Sequence, residues 1–389
     1  MRKIIHLDLD AFFCAVEEIH RPDLVNKPFA VGGKPGERGV VASCSYAARM
    51  QGVRSAMPMV RAIKLCPRLI VIAPRHELYA NVSDQVMELL HQVTPSIEQI
   101  SIDEAFLDVS DLSDPIDVIA KKLQSDVHKN IGLPCSLGGA TNKLVAKIAC
   151  DFGKSIRRSS EPPNAITIVP AGQEAIFLAP LPVQSLWGIG PKTANRLAER
   201  NILIIGELAS LTELQLVEIF GRLGSEMGQR ARGIDDRPLL TSHEVKSISQ
   251  EMTFVRDIHD VEYITRTLSQ MAQQVGQRLR ASQRCGSTIR LKLRWPNFRL
   301  ISRQLTLANP TNQDKEIEAA VIKLFTSIYK PGMSVRLVGV GVSNLSPVIR
   351  QMSFWDDKNE REQRLLRAID EIKSRYGRKV LKRGNIIDY

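Results

Sequence analysis

Apolar and polar positions alternate at the start of the chain. Over residues 3–10 the apolar side chains of Ile5, Leu7 and Leu9 are separated by polar ones, the period of two that a half-buried β-strand shows. A second segment, SIDEAFLDVS at 101–110, is mostly apolar apart from its acids. Carboxylates inside apolar strands are costly to bury unless a partner compensates their charge. The two segments therefore predict a shared cation site.

The adjacent acids Asp103 and Glu104 constrain the second segment. Neighbouring side chains of a regular strand point to opposite faces, so these two can serve one site only near a strand end or in a turn. We therefore predict a hairpin of strands 97–102 and 105–109, with the two acids at or near its bend.

The remaining pattern of residues 1–165 mixes strands and helices. Periodicity and helix-stop signals predict helices at 11–20, 45–52, 78–93, 115–130 and 140–155, and strands at 40–43 and 134–139. This mixture is typical of an antiparallel sheet backed by helices.

The second half of the chain changes pattern twice. Residues 181–240 are predicted to be helices punctuated by glycine, with a Gly-Ile-Gly hairpin at 188–190. Residues 245–345 follow the order β-α-β-β-α-β of a split βαβ unit. A charged tail, 346–389, contains one helix at 358–376. Because 389 residues are too many for one ordinary core, we predict an α+β fold of several domains.

The net charge and the cysteine content indicate which class of partner the protein binds and in which cellular compartment it is found. Lys and Arg outnumber Asp and Glu by 53 to 42, a net charge of +11, which favours a polyanionic partner. The six cysteines are scattered without a CxxC pair, so we expect a reducing cytoplasm rather than thiolate metal sites or disulfides. No apolar run is long enough for a membrane helix and the N-terminus lacks a secretory signal, so no membrane partner is expected.

Asp8, Asp103 and Glu104 are the strongest chemical signal. Mg²⁺ binds through few carboxylates and keeps water or phosphate ligands. Two such ions, roughly 3.5–4 Å apart, activate a 3′-hydroxyl and stabilise a leaving pyrophosphate. For any one acid, a turn or N-cap role without a metal remains an alternative. Asp10, on the same strand face as Asp8, is expected to be structural.

Four motifs, in this order and spacing, resemble those of the Y-family translesion DNA polymerases, and most closely the DNA polymerase IV branch. They are LDLDAFFCAVEE, SYAARMQGVRSAMP, SIDEAFLDVS and TNKLVAKIACD. The resemblance covers about residues 1–345. It implies a DNA-directed DNA polymerase, a mutator protein of DNA repair. Such an enzyme copies damaged templates with low fidelity by two-metal nucleotidyl transfer, without proofreading.

The resemblance also implies a right-hand architecture with an added domain. Its parts are the palm (1–10 and 74–165), small fingers (11–73), a helical thumb with a helix-hairpin-helix (166–240), a split βαβ little finger (241–345) and a C-terminal tail (346–389). The implied partners are primer-template DNA and dNTPs, and a monomer is expected.

Carried over to this sequence, the resemblance makes Asp8, Asp103 and Glu104 the catalytic ligands of two Mg²⁺ ions. The Leu9 carbonyl helps to hold one of these ions. Phe13 falls at the steric-gate position, where a bulky ring would exclude a 2′-hydroxyl on the incoming sugar. Without the resemblance, Phe13 would be taken as an ordinary core residue.

The resemblance further implies nucleotide contacts from Ser43, Tyr46, Arg49 and Lys154. Tyr46 and Arg49 share a helix face through their i, i+3 spacing, and arginine can bind phosphate oxygens bidentately. A solvated arginine beside a half-buried tyrosine is the alternative. After Lys154 the segment SIRRSSEPPNAI (155–166) departs from the Pro-Asn-Gly that the family usually has there, which puts the assignment of this lysine in question.

Two further regions are expected to bind DNA. In the thumb, Gly188, Gly190 and Lys192 would hold a DNA backbone through close amide approach, with a plain helical turn as the alternative. The stretch 278–303 contains eight basic residues and no acid. Within it, three cations alternate with apolar residues on one predicted strand, so that one strand face is cationic and suits a phosphate groove. These cations are Arg290, Lys292 and Arg294. A solvated strand face is the alternative.

The tail segment QMSFW (351–355) resembles the peptide by which many bacterial replication and repair proteins bind the sliding clamp. Gln351 and Met352 precede two large apolar anchors, Phe354 and Trp355, which would fill a pocket on the clamp. An apolar patch that packs on the protein itself is the alternative.

Two other classes of protein remain open. A scaffold that binds DNA and the clamp without catalysis would have lost its metal ligands, and Asp8, Asp103 and Glu104 are all present. A palm-type nucleotidyl cyclase would share the two-metal chemistry, but the thumb hairpin and the basic stretch would be superfluous there.

Overall fold

The computed structural model describes residues 2–157, 159–242, 244–348, 357–377 and 380–381. The chain forms two compact units, Met1–His243 and Glu244–Tyr389. The clamp-binding peptide predicted at 351–355 lies outside the described residues. None of the described helices is long and apolar enough to cross a membrane.

The first unit alternates short strands with helices. Its strands are β1 (Ile4–Leu9), β2 (Phe29–Gly32), β3 (Val41–Cys44), β4 (Ile70–Ile72), β5 (Ile97–Gln99), β6 (Glu104–Asp108), β7 (Cys135–Ala140) and β8 (Ile166–Ile168). Its helices are α1 (Phe12–His20), α2 (Tyr46–Met50), α3 (Met59–Leu65), α4 (His76–His91), α5 (Ile116–Ile131), α6 (Lys143–Ile156), α7 (Glu174–Leu178), α8 (Pro191–Ala198), α9 (Ile205–Ser210), α10 (Glu213–Phe220) and α11 (Arg222–Ala231).

A five-stranded sheet of order β5-β6-β1-β7-β8 carries the first unit. All six residues of β1 are buried, because helices cover both faces of the sheet. Ile5, Leu7 and Leu9 pack with side chains of α4 and α5. Ile4 packs with side chains of α6 instead. The polar side of β1 is therefore buried beneath α6 rather than exposed to water.

The sheet departs from the predicted antiparallel arrangement at one edge. β7 and β8 pair in parallel, because α6 connects them as a crossover, which returns the chain in the same direction. β8 also lies beyond the palm boundary predicted at residue 165, so the sheet extends to Ile168.

The segment between α1 and α4 forms a smaller layer. Its three-stranded sheet has the order β3-β2-β4, and α2 and α3 supply side chains to a separate small core that includes Ala48 and Met59. The side chain of Ser45 begins α2 by accepting a hydrogen bond from the Ala48 amide at 3.2 Å.

Short helices α7 to α11 pack against the α6 side of the sheet through one shared apolar cluster. The segment after α11 is tied to the start of α6. The Asn142 amide group donates to the Gly233 carbonyl at 2.9 Å, and the Leu144 amide donates to Asp235 at 3.1 Å. A buried ion pair between Lys143 and Glu98, at 2.8 Å, joins the start of α6 to β5. Together these bonds attach the start of α6 to the sheet and to the segment after α11.

The second unit has the predicted order of a split βαβ unit. Its elements are β9 (Ser247–Ile258), α12 (Val261–Ala281), β10 (Arg284–Arg294), β11 (Leu300–Thr311), α13 (Asp314–Ile328), β12 (Val335–Pro347) and α14 (Asp357–Tyr376). The sheet order is β11-β10-β12-β9 and every pairing is antiparallel. Ile289, Leu291 and Leu293 are buried with the apolar sides of α12 and α13. Arg280 of α12 binds Asp370 of α14 at 2.6 Å.

Candidate active site

The ends of two paired strands bring the predicted acids together. Asp8 of β1 lies directly opposite Glu104 of β6 in the antiparallel register. One residue further on, the Leu9 amide donates to the Asp103 carbonyl at 2.9 Å. Asp103 lies in the turn between β5 and β6, and Glu104 is the first residue of β6. The hairpin prediction is confirmed, because the turn lets neighbouring acids lie at one end of the sheet.

Two lysines of α6 supply the counter-charge for these acids. Lys154 donates to Asp8 at 2.7 Å, and Lys147 donates to Glu104 at 3.2 Å. Sequence reasoning assigned no role to Lys147. The feature that could have revealed Lys147 is its distance of seven residues from Lys154. Seven residues are two helical turns, so both ammonium groups lie on the side of α6 that faces the sheet.

His6 is a further buried neighbour that sequence reasoning missed. Its ring is fully buried, and its Nε2 atom lies 3.7 Å from Glu104. Among the described residues neither ring nitrogen has a hydrogen-bond partner. The ring packs on Phe106 with centroids 4.8 Å apart. Burial lowers the pKa of His6, so the neutral imidazole is the favoured form.

The two strand-end acids have opposite electrostatic environments. Burial raises the pKa of Asp8 to about 7, although the Lys154 ammonium acts in the opposite direction. The neighbouring His6 ring, followed by the Lys147 ammonium, lowers the pKa of Glu104 to about 2. The ionised form of Asp8 is therefore costly at this position, and a bound cation would offset that cost.

The donor set fits hard divalent cations. Asp8, Asp103 and Glu104 offer carboxylate oxygens from one end of one sheet, the ligand type that such ions prefer. In the described part of the chain, no three His, Cys, Asp or Glu side chains already converge on one point. Lys154 and Lys147 hold two of the acids instead, so a bound cation would exchange with their ammonium groups.

Asp10, which the sequence analysis expected to be structural, is held inside the protein by hydrogen bonds. Its carboxylate is fully buried and accepts hydrogen bonds from the Ser136 hydroxyl at 2.9 Å and from the Asn164 amide at 3.2 Å. These bonds join the end of β1 to β7 and to the segment before β8.

Lys154 lies within the site, because its ammonium group is 2.7 Å from Asp8 and 3.5 Å from Asp10. It has this position even though the loop that follows it departs from the family pattern.

Phe13 lies in the first turn of α1, only a few residues beyond the strand-end acids. It is half-buried, whereas its neighbour Phe12 is only 2% exposed and belongs to the core. The ring of Phe13 stacks on the ring of Tyr79 with centroids 4.3 Å apart and planes 16° apart. One side of the Phe13 ring is therefore supported by the protein.

The predicted nucleotide contacts of the smaller layer lie on β3 and α2. Ser43 is buried on β3. The Arg49 guanidinium lies over the Tyr46 ring, 4.8 Å from its centroid, which confirms their shared face. The Tyr46 hydroxyl is buried without a hydrogen-bond partner among the described residues. A buried hydroxyl normally has a partner, so this group is free to bind a ligand.

The predicted thumb contacts surround the start of α8. Gly188, Gly190 and Lys192 are exposed, whereas Ile189 between the two glycines is buried. Gly188 has a φ of +102°, a conformation that favours glycine. A Cβ atom at Gly190 would meet nothing within 4 Å. This turn therefore presents backbone to solvent.

The predicted basic strand is β10 of the second unit. Arg290, Lys292 and Arg294 lie on the sheet face opposite to the helices. Lys292 is not a free cation, because it forms an ion pair with Glu251 at 2.7 Å. That pair crosses β12 at Gly339, which has no side chain to obstruct it. The sequence did not reveal this partner, because Glu251 lies 41 positions away.

Comparison with known proteins identifies the family. Models of the impB/mucB/samB family, its HHH motif and its C-terminal domain match residues 7–151, 173–202 and 245–354. A DNA polymerase IV of Desulfatibacillum aliphaticivorans is 39% identical over 381 residues, covering 96% of this chain and 94% of that protein. The chain belongs to the DNA polymerase IV branch of the Y-family DNA polymerases. A second relative of this Y-family enzyme, DNA polymerase IV of Clostridium perfringens, is 36% identical over 91% of this chain and 98% of that protein.

Solved structures agree with this assignment to the Y family. A Y-family DNA polymerase chimera of Dbh and Dpo4 matches with a TM-score of 0.78 and 25% identity over 89% of this chain and 99% of that chain. An insertion ternary complex of Dbh DNA polymerase matches with a TM-score of 0.62 over the same shares. This Y-family polymerase therefore has the predicted fold, with a palm, small fingers, a helix-hairpin-helix thumb and a split βαβ little finger.

Proposed function

We propose that the chain copies damaged or distorted DNA templates by two-metal nucleotidyl transfer. The observation that carries this proposal is the strand-end register of Asp8 and Glu104, with Asp103 bonded to the next residue of β1. This geometry suits two Mg²⁺ ions with open positions for substrate phosphates. The Leu9 carbonyl would complete the site. Incubation with primer-template, Mg²⁺ and dNTPs tests the reaction, because neither a scaffold nor a nucleotidyl cyclase would extend the primer.

Within this reaction the three acids and the two lysines of α6 have different tasks. Asp8, Asp103 and Glu104 would hold the two ions, which supply charge stabilisation at the 3′-hydroxyl and at the leaving pyrophosphate. Lys154 would leave Asp8 and bind the triphosphate once the ions neutralise that acid. Lys147 would give up its contact with Glu104 in the same way.

The nucleotide would lie between the palm and the fingers. The Tyr46 hydroxyl and the Arg49 guanidinium are donors suited to phosphate oxygens, and Ser43 lies on the adjacent strand. Phe13 would contact the sugar and exclude a 2′-hydroxyl. We infer that synthesis proceeds without proofreading, as the resemblance to the Y-family polymerases implies.

DNA would be held by the backbone at Gly188 and Gly190, by Lys192, and by the exposed face of β10. The likeness to an insertion ternary complex of Dbh DNA polymerase supports the binding of DNA and a nucleotide. The contacts named here are part of the proposal. None of these groups reads base sequence, because contacts to phosphates position a protein without specifying bases.

Neutralising the cations of β10 is expected to reduce the salt dependence of DNA binding. Each phosphate contact contributes about 0.9 to the slope of log K against log salt. We expect Arg290→Gln and Arg294→Gln each to reduce the slope by about 0.9. Lys292→Gln should have a smaller effect, because Glu251 already offsets that charge. Fluorescence anisotropy over a salt series measures the slopes.

The control for this series is Arg375→Gln, which removes a cation from α14 that is paired with Glu371. Its slope should equal that of the wild type. Equal slopes for the wild type and for the Arg290→Gln/Arg294→Gln variant would show that DNA does not bind this face.

We propose that residues 351–355 bind the sliding clamp. The segment follows the last strand of the little finger, and its two large apolar residues are separated by two positions from Gln351. Gln351→Ala is expected to remove most of the stimulation of primer extension by a loaded clamp, while clamp-independent extension stays at the wild-type level. Gln173→Ala, at an exposed glutamine directly before α7, is the matched control. Undiminished stimulation of the Gln351→Ala variant would reject the peptide.

We also infer a monomer that acts in the cytoplasm. All six cysteines are free thiols, and five of them are buried, a state that a reducing compartment maintains. Sedimentation of the full chain tests the oligomeric state.

A further inference from the structure

An ion pair between a buried glutamate and an exposed arginine lies behind the proposed steric gate. Glu17 is one helical turn beyond Phe13 on α1, and its side chain is 1% exposed. Arg75, directly before α4, donates to both of its carboxylate oxygens, at 2.9 and 2.6 Å. A bidentate pair of this kind fixes both orientation and distance.

Tyr79 connects this ion pair to the gate. Its hydroxyl donates to Glu17 at 2.6 Å, and its ring is fully buried. The opposite end of the connection is the stack of Tyr79 on Phe13. Two facing helices thus contribute residues four positions apart, Phe13 and Glu17 from α1, and Arg75 and Tyr79 at the start of α4.

The arrangement restrains the Phe13 ring. A half-buried ring can move away from an extra oxygen unless something stops it. Here it would have to displace Tyr79, and that movement would break the Tyr79–Glu17 hydrogen bond inside the protein. The His76 ring further limits the movement of both rings. It packs edge-on against them, with its centroid 6.2 Å from that of Phe13 and 6.3 Å from that of Tyr79.

We propose that Glu17 and Arg75 are positioning residues for sugar selection, which hold Tyr79 as a rigid support behind Phe13. Neither residue touches the substrate. The inference rests on the proposed role of Phe13 as the steric gate. A simple brace between α1 and α4 would instead affect stability and leave the choice of sugar unchanged.

A measurement of sugar selection distinguishes these two roles. Sugar selection is expressed as the ratio of kcat/KM for a dNTP to kcat/KM for the matching rNTP. Tyr79→Phe removes only the hydroxyl and keeps the stacked ring, and Arg75→Met removes the charge that orients Glu17. We expect each variant to lower the ratio by about tenfold, the effect of one hydrogen bond to a charged group. Arg75→Lys should recover part of the loss.

A double-mutant cycle tests the connection to Phe13. Because Tyr79 acts through the Phe13 ring, Phe13→Ala/Tyr79→Phe should have the same ratio as Phe13→Ala alone. Arg375→Met is the control, since it removes an exposed ion pair with Glu371 on α14 of the second unit. Its ratio should match that of the wild type.

Three outcomes would overturn the inference. Ratios at the wild-type value in both Tyr79→Phe and Arg75→Met, with a lowered ratio in Phe13→Ala, would leave the gate in place and reduce the pair to a brace. If the ratio in Phe13→Ala/Tyr79→Phe falls by the product of the two single-variant factors, Tyr79 acts independently of Phe13. An unchanged ratio in Phe13→Ala would remove the gate itself and this inference with it. If Arg75→Met does not fold, the milder Tyr79→Phe still decides.

Discussion

Replacing Asp103 with Asn and Glu104 with Gln is expected to abolish primer extension. Both substitutions preserve side-chain size but remove the charge that would hold the divalent ions. Metal ions contribute several kcal/mol to the stabilisation of a transition state, and each 1.36 kcal/mol is a factor of ten, so the rate should fall by about 10³-fold or more. Single-turnover extension past a defined minor-groove adduct and on an undamaged template measures the loss.

Binding measurements separate a lost metal site from a lost fold. Binding of Mn²⁺, followed by electron paramagnetic resonance, should weaken in the double variant, while primer-template affinity in the absence of metal and the melting temperature stay close to wild-type values. Asp117→Asn is the matched control, because it neutralises an exposed acid that is paired with Lys121 on α5. A double variant that retains a tenth of the wild-type rate would contradict the proposed ligands.

Phe13→Ala is expected to admit ribonucleotides. Forcing extra atoms into a filled site costs about 1–3 kcal/mol, which corresponds to roughly 5- to 160-fold in relative kcat/KM. Removal of the ring should therefore lower the preference for dNTPs by that factor, through a gain in rNTP incorporation. Single-nucleotide insertion kinetics with the two sugars measure the change.

A buried ring of the second unit provides the control for this prediction. Phe325 belongs to the core of that unit, so Phe325→Leu should lower the melting temperature and leave the preference between the sugars unaltered. If Phe13→Ala discriminates between the sugars as strongly as the wild type, Phe13 is not the gate.

Local pattern was sufficient for most of the fold. The alternation in β1, the long periodic helices of the palm and the β-α-β-β-α-β order of the second unit all follow from side chains close together in sequence. The same reasoning placed Asp103 and Glu104 at a turn, since two adjacent acids cannot share a face of a regular strand. The parallel pairing of β8 was missed, because the direction of a strand depends on the crossover before it.

The sequence by itself predicted the candidate chemistry. The three acids and the basic strand follow from residue types and spacing, which are local properties of the chain, whereas Phe13 was proposed as a gate only through the family resemblance. Only the tertiary structure decided which groups compensate them. Lys147 and His6 beside Glu104, Glu251 beside Lys292, and Glu17 with Arg75 behind the Phe13 ring all depend on contacts between elements far apart in sequence. Such pairings depend on how helices and strands pack, and the charge of a residue does not reveal which distant residue will neutralise it.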